Sequence, residues 1–191
     1  MTTHGRHFYS PQKINMKNYL AILLFVSASF NLFGQSLYDY DIDAKLTALG
    51  INLNEPSKPV GNYVNSVQTG NLIYMAGLGP LGPNGYIKGK LGQNLSIAEG
   101  YEAARYAAIS QLAALKAKIG DLNKVKRIVK VFGMVNSSPT FTQQPAVING
   151  FSDLMVEVFG DRGKHARAAV GMVALPMDIC VEIEMIVEVE L

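Results

Sequence analysis

Gly163–Glu184, GKHARAAVGMVALPMDICVEIE, is the stretch from which the rest of the chain can be read. It passes through a run of small and apolar residues, turns at Pro176-Met177-Asp178, and enters a tail that alternates to the end of the chain. Strict alternation is the mark of a strand with one buried face. In the tail, Val181, Ile183, Met185, Val187 and Val189 share one face, and Cys180, Glu182, Glu184, Ile186, Glu188 and Glu190 share the other. Ala166–Leu175 is therefore expected to be a strand and Cys180–Leu191 the last strand. Arg167 stands near the start of the first of these, among Ala166, Ala168 and Ala169. Its planar fork suits a carboxylate, and the small neighbours leave room for one. Glu182 follows across the turn. If the two strands pair antiparallel, Arg167 and Glu182 become neighbours; from spacing alone, a structural Arg–Glu salt bridge is the plainer reading and a binding cleft the functional one.

Upstream, Gln144–Phe159 carries Val147, Phe151, Leu154, Met155 and Val158 on one helical stripe and stops at Gly160. Ser96–Ile119 is the clearest helix, with a capping box from Ser96 and Glu99 and a stop at Gly120. Between them Lys126–Val135 is an apolar strand. Tyr63–Thr69, the Gly70-Asn71 turn and Leu72–Ala76 read as a hairpin. Gly77–Gly92 reads as loop, with room for a short strand near Tyr86–Lys88. Asp41–Leu49 reads as a short helix. Strand pair, helix, strand, helix, strand pair is the order of an α+β fold, a mixed sheet with two helices packed on one face.

The first 35 residues differ from the rest. They hold Arg6, Lys13 and Lys17 and no acid, whereas residues 36–191 carry 14 basic and 15 acidic side chains. Met16-Lys17-Asn18 precedes an uncharged, mostly apolar run, and Val26-Ser27-Ala28 fits a small-x-small cleavage site. The expectation is a signal peptide over about residues 16–35, with Met16 as the start of translation and a secreted or periplasmic mature protein. An uncleaved anchor is the alternative. No stable membrane insertion is expected after cleavage, because the run is short of the roughly 20 apolar residues of a span. Residues 36–56 would form an N-terminal helix and linker, and 57–191 the main domain.

Composition excludes several classes. A near-neutral body has no basic stripe for nucleic acid. Cys180 is the lone cysteine and His165 the lone histidine beyond position 7, so no metal site and no cofactor are expected. For the same reason His165 reads as positional and not as a nucleophile's base, and replacing it with Asn is expected to leave ligand binding largely intact. Gly77-Leu-Gly79-Pro-Leu-Gly82 matches GxGxxG, but Pro80 and Pro83 deny it the helix a dinucleotide site requires, so it reads as a turn.

Arg167, the small residues after it, Leu175-Pro176 and Val181-Glu182-Ile183-Glu184 closely resemble the C-terminal signature of the RidA (YjgF) superfamily. Tyr63-Val64 with the Gly70-Asn71 turn resembles that family's first hairpin, and Asn149 lies where the family also places an Asn. The resemblance covers about residues 57–191. It implies a chorismate-mutase-like fold, assembled as a homotrimer whose three sheets form an inner barrel. It also implies a cleft that receives a small carboxylate, an imino or a keto acid. By resemblance, Arg167, Glu182 and Tyr63 are the candidate catalytic residues, and Arg167, Gly77, Ala169 and Asn149 the candidate substrate contacts. The implied activity is hydrolysis of reactive enamines and imines to 2-keto acids and ammonia. Two departures stand out. Ala76-Gly77-Leu78 replaces the Ser-Gly-Gln usual in the deaminating branch, and Ala169 replaces a Cys, Ser or Thr. A non-catalytic carboxylate-binding protein is the alternative reading, and an endoribonuclease a third, which the near-neutral charge disfavours.

Overall fold

A computed structural model describes Met1 and residues 36–191. The leader and start-site expectations for residues 1–35 fall on the undescribed stretch. A short helix α1 (Ile42–Ala48) opens the described chain, capped by Asp41, whose side chain accepts from the Ala44 amide at 2.8 Å. Ile42 and Leu46 of α1 are buried in the same apolar core as the sheet and the two longer helices.

The main sheet has five strands: β1 (Ser66–Thr69), β2 (Leu72–Leu78), β5 (Val125–Asn136), β6 (Ala166–Met172) and β7 (Val181–Val189). Their order across the sheet is β1-β2-β7-β5-β6. A small separate hairpin, β3 (Leu81–Gly82) and β4 (Gly85–Tyr86), occupies the segment expected to be loop. It also settles the GxGxxG match: a hairpin, not a helix, follows β2, so no helix N-terminus faces those glycines.

Every pairing in the main sheet is antiparallel except β5 with β6, which is parallel. Parallel neighbours need a crossover, and helix α3 (Gln144–Phe159) supplies it. This corrects the expected strand pair at the C-terminus. β6 and β7 do not pair. The Pro176 turn is no hairpin; it carries the chain past β5, so that β7 enters the sheet on β5's other side.

The alternation read in the tail holds. Val181, Ile183, Met185, Val187 and Val189 are buried, while Glu182, Ile186 and Glu188 are half-buried and Glu184 is exposed. Cys180 departs from its expected face: it precedes the strand, is fully buried, and belongs to the core. Helices α2 (Ile97–Ile119) and α3 cover the buried face. The Ser96–Glu99 capping box is formed, with the Ser96 amide donating to Glu99 Oε2 at 2.8 Å. Ala103, Ala104, Ala107 and Ala108 are wholly buried, and these short side chains let α3 come close. At Gly150 the approach is closest, since a Cβ there would strike the Tyr101 carbonyl. The ladder is interrupted once between β2 and β7. Met75 pairs with Met185 and Leu78 with Ile183, so Ala76-Gly77 bulge opposite Glu184. The buried Gln111 of α2 fills this gap, donating to the carbonyls of Ala76 at 2.8 Å and Ile183 at 2.5 Å.

Candidate functional site

Arg167 is the second residue of β6, level with Val131 on β5. Its side chain rises on the helix side of the sheet and is held by α3. Nη1 donates to Asn149 Oδ1 at 3.0 Å and to Ser152 Oγ at 2.9 Å. Asn149 and Ser152 are three residues apart, so one helical face presents both. Nη1 has two hydrogens, and both are now committed. Nη2 approaches only the Pro145 carbonyl, at 3.5 Å, the outer limit of a hydrogen bond. Nε has no acceptor among the described residues. The Nε–Nη2 edge of the guanidinium is thus held only by that one long contact, and its geometry suits a two-pronged carboxylate. Ala169, two residues on along the same side, is half-buried against the core and adds no polar group.

Glu182 belongs to a second cluster. It is the second residue of β7, level with Met134 on β5, and faces away from the helices. The carboxylate lies against Gly77, where a Cβ would collide with it. The β2 bulge thus leaves a space that the absence of a side chain at Gly77 allows Glu182 to fill. Among the described residues the carboxylate has no hydrogen-bond or ion-pair partner. Burial, reinforced by Glu184, raises its pKa above the ordinary carboxylate value. An unpaired carboxylate with a raised pKa is suited to accept and return a proton.

Arg167 and Glu182 are not neighbours within one chain. They lie two strands apart and on opposite faces of the sheet. The expected structural salt bridge between them is absent. The ion pairs among the described residues are Arg105–Glu157, Lys116–Asp43, Lys126–Glu188 and Lys164–Asp161. Tyr63 joins neither cluster. It precedes β1, is 51% exposed, and its hydroxyl accepts only from the Val60 amide, at 3.4 Å. Cys180 is wholly buried, and burial pushes its thiol up to about 11, which disfavours the reactive thiolate. Among the described residues no group of three or more His, Cys, Asp or Glu could hold a metal ion. Two cavities, of about 610 Å³ beside α2 and about 510 Å³ at the start of α3, include neither Arg167 nor Glu182.

Two residues were not singled out from sequence. Ser152 is visible only as a polar residue beside an apolar stripe. Gln111 carried a stronger signal, a polar side chain amid the alanines and leucines of α2.

A family model described as "YjgF/chorismate_mutase-like, putative endoribonuclease" matches residues 43–189, which include both clusters. The chain belongs to the YjgF/RidA superfamily. Its fold is accordingly the chorismate-mutase-like α+β fold, with three described helices against a mixed sheet. Protein TCP17 of Trypanosoma cruzi is 43% identical over 149 residues, covering 77% of this chain and 93% of that relative. Among solved structures, the Agrobacterium tumefaciens protein Atu1372, of unknown function, is 40% identical with a TM-score of 0.73, over 78% of this chain and 92% of that one. A Shewanella oneidensis protein described as a "putative endoribonuclease" is 28% identical with a TM-score of 0.76, over 78% of this chain and all of that one.

Proposed function

We propose that this YjgF/RidA protein hydrolyses reactive enamines and imines of small 2-amino acids, giving 2-keto acids and ammonia. The observation that carries the reading is the state of Arg167: anchored through Nη1 to α3, with Nε unpaired among the described residues and Nη2 held only by the Pro145 carbonyl at 3.5 Å. A carboxylate received there gains two charge-assisted hydrogen bonds. An enamine protonated at carbon becomes an iminium, whose carbon is attacked by water. Glu182 takes the proton that water releases, and a carbinolamine forms. Return of that proton from Glu182 to nitrogen makes ammonia the leaving group; the C–N bond breaks as the C=O bond forms, and the hydroxyl proton goes to solvent, replacing the one that solvent gave to the enamine carbon. No metal or organic cofactor enters this sequence.

Arg167 and Glu182 serve one substrate only if they come from different copies of the chain. We therefore propose a homotrimer in which Arg167 of one subunit faces Glu182 of the next. The sheet face away from the helices supports this. It presents Val67 and Tyr74, 57% and 46% exposed, with the half-buried Ile186 and Phe132, an apolar surface a neighbour would cover. Cys180, buried in the core, no longer contributes to that surface, but Ile186 does. Tyr63, exposed on the segment leading into this edge, would reach the cleft only from such a neighbour.

A second reading, capture of a small acid without turnover, has its own support: Ala76 and Leu78 beside Gly77, and Ala169 beyond Arg167, bring no polar side chain of their own. An RNase is the weakest reading, because the body is near neutral and has one histidine. Incubating the purified protein with an enzymatically generated imino acid separates the first two. Keto acid forming faster than in buffer supports hydrolysis; tight keto-acid binding without acceleration supports capture. We place the mature protein outside the cytoplasm on the strength of residues 16–35. Among the described residues no helix is long and apolar enough to cross a membrane.

A further inference from the structure

Beyond Arg167 itself lies a chain of hydrogen bonds whose directions can be worked out. His165 immediately precedes β6. Its Nδ1 is 2.7 Å from the Gly163 carbonyl, and its Nε2 is 3.0 Å from Ser152 Oγ. A carbonyl only accepts, so Nδ1 carries the hydrogen, and in the neutral ring Nε2 must accept. The guanidinium only donates, so Ser152 Oγ accepts from Arg167 Nη1. The Ser152 hydroxyl hydrogen is then available for Nε2. All four groups are satisfied in one arrangement: Arg167 to Ser152, Ser152 to His165, and His165 to the Gly163 carbonyl. The carbonyl at the end is fixed in turn. Gly163 is buried so tightly under α3 that a Cβ there would strike the Met155 carbonyl.

We propose that His165, as the neutral Nδ1–H tautomer and acting through Ser152, is the positioning residue that holds Arg167 ready for a carboxylate. This rests on the carboxylate-binding role of Arg167 and deepens it. A protonated ring carries a hydrogen on Nε2, so the Ser152 hydroxyl loses its acceptor and a second positive charge appears beside Arg167. The surroundings favour the neutral ring. Burial lowers the His165 pKa below the ordinary imidazole value, opposed by the hydrogen bond to Gly163 and aided by the charge of Arg167. From α3 the ring meets Ser152 and the edge of Phe151, both uncharged, with ring centroids 6.3 Å apart in the latter pair. The acidic residues of α3 are engaged elsewhere, Asp153 by the Tyr101 hydroxyl and Glu157 by Arg105. Lys164, next in the chain, pairs with Asp161, and Lys130 of β5, level with Ala166, alternates to the other side of the sheet from Val131.

The sequence reading left His165 without a task in binding. The relay assigns it one, and it separates two amide replacements. Asn reaches the Gly163 carbonyl but not Ser152; Gln extends an acceptor to the place of Nε2. The test has two arms on the full chain. Side-chain nitrogen NMR of the wild type, with His165→Gln used to assign the ring, should show an Nδ1–H tautomer; an Nε2–H tautomer or an imidazolium at neutral pH overturns the proposal. Pyruvate affinity is then measured from about pH 5 to 8. Loss of one charged hydrogen bond should weaken binding about tenfold in Ser152→Ala and His165→Leu. His165→Gln should bind as the wild type does, without its loss of affinity on the acid side. Leu and Gln variants that both bind like the wild type, acid arm included, overturn the proposal. If Arg167→Ala binds pyruvate as well as the wild type, the carboxylate reading of Arg167 falls and takes this inference with it, a result distinct from failure of the relay alone.

Discussion

The carboxylate of Glu182 occupies the space in which Gly77 would carry a Cβ. The relationship joins β7 to the bulge in β2 and fixes where the proposed base stands at this end of the sheet. Because the colliding atoms are the far end of a flexible side chain, Gly77→Ala should fold and displace the carboxylate. The expected outcome is a fall in turnover of an order of magnitude or more, about 1.4 kcal/mol in activation free energy, with a near-normal melting temperature. Steady-state kinetics beside thermal denaturation checks both halves.

Glu182 itself should show opposed effects on stability and activity. Its folded-state pKa is raised, so the folded chain holds a proton that the unfolded chain releases. That contribution to stability is present at low pH and is lost as pH rises through the folded pKa. At neutral pH the ionised, half-buried group is a small burden, reduced by solvent screening. Glu182→Gln should therefore melt slightly higher than the wild type at pH 7, match it near the bottom of the carboxylate range at about pH 4, and lose hydrolysis. Melting curves at the two pH values give the sign directly.

Arg167 should be the most damaging position for binding. Each charged hydrogen bond to a carboxylate is worth about 1.5–3 kcal/mol, so Arg167→Ala should weaken keto-acid affinity by at least tenfold. Arg167→Lys keeps the charge but loses the Nε–Nη2 edge, and should bind nearly as poorly. Isothermal titration with melting temperatures on the same variants is the measurement. Unchanged affinity with a large fall in melting temperature would make Arg167 a structural anchor of α3 alone.

Gln111 should matter for stability, not chemistry. Its amide supplies donors to the Ala76 and Ile183 carbonyls where the ladder is broken. Gln111→Leu keeps the volume and strands both acceptors, at a cost of about 1–3 kcal/mol for each. In a domain of this size a loss of that kind lowers the melting temperature by ~2–4 °C per kcal/mol.

Much of this arrangement was legible before any coordinates. The alternation of Val181–Val189, the capping box at Ser96 and the stripe on Gln144–Phe159 each record a local requirement, and each appears as read. What escaped was pairing. The Pro176 turn looks like a hairpin because a turn records only a local reversal; whether β7 then joins β6 or passes beyond β5 depends on the α3 crossover. The separation of Arg167 from Glu182 follows from that one choice. Asn149 beside Arg167 was legible by resemblance, whereas Ser152 was not, since a hydroxyl on a helix reads as solvated surface until a strand is placed under it.

The central claim is that the carboxylate anchor and the base meet between copies of the chain. Mixing Arg167→Ala and Glu182→Gln chains tests it most directly. Each variant alone should be inactive toward an enzymatically generated imino acid. In a ring whose every contact joins one subunit's Arg167 surface to the next subunit's Glu182 surface, unfolding the two together and refolding at equal ratio leaves roughly a quarter of the sites intact. Recovery of about that share of wild-type turnover is the expected result. A co-refolded mixture as inactive as its parents, although native mass spectrometry shows mixed trimers, would contradict the account.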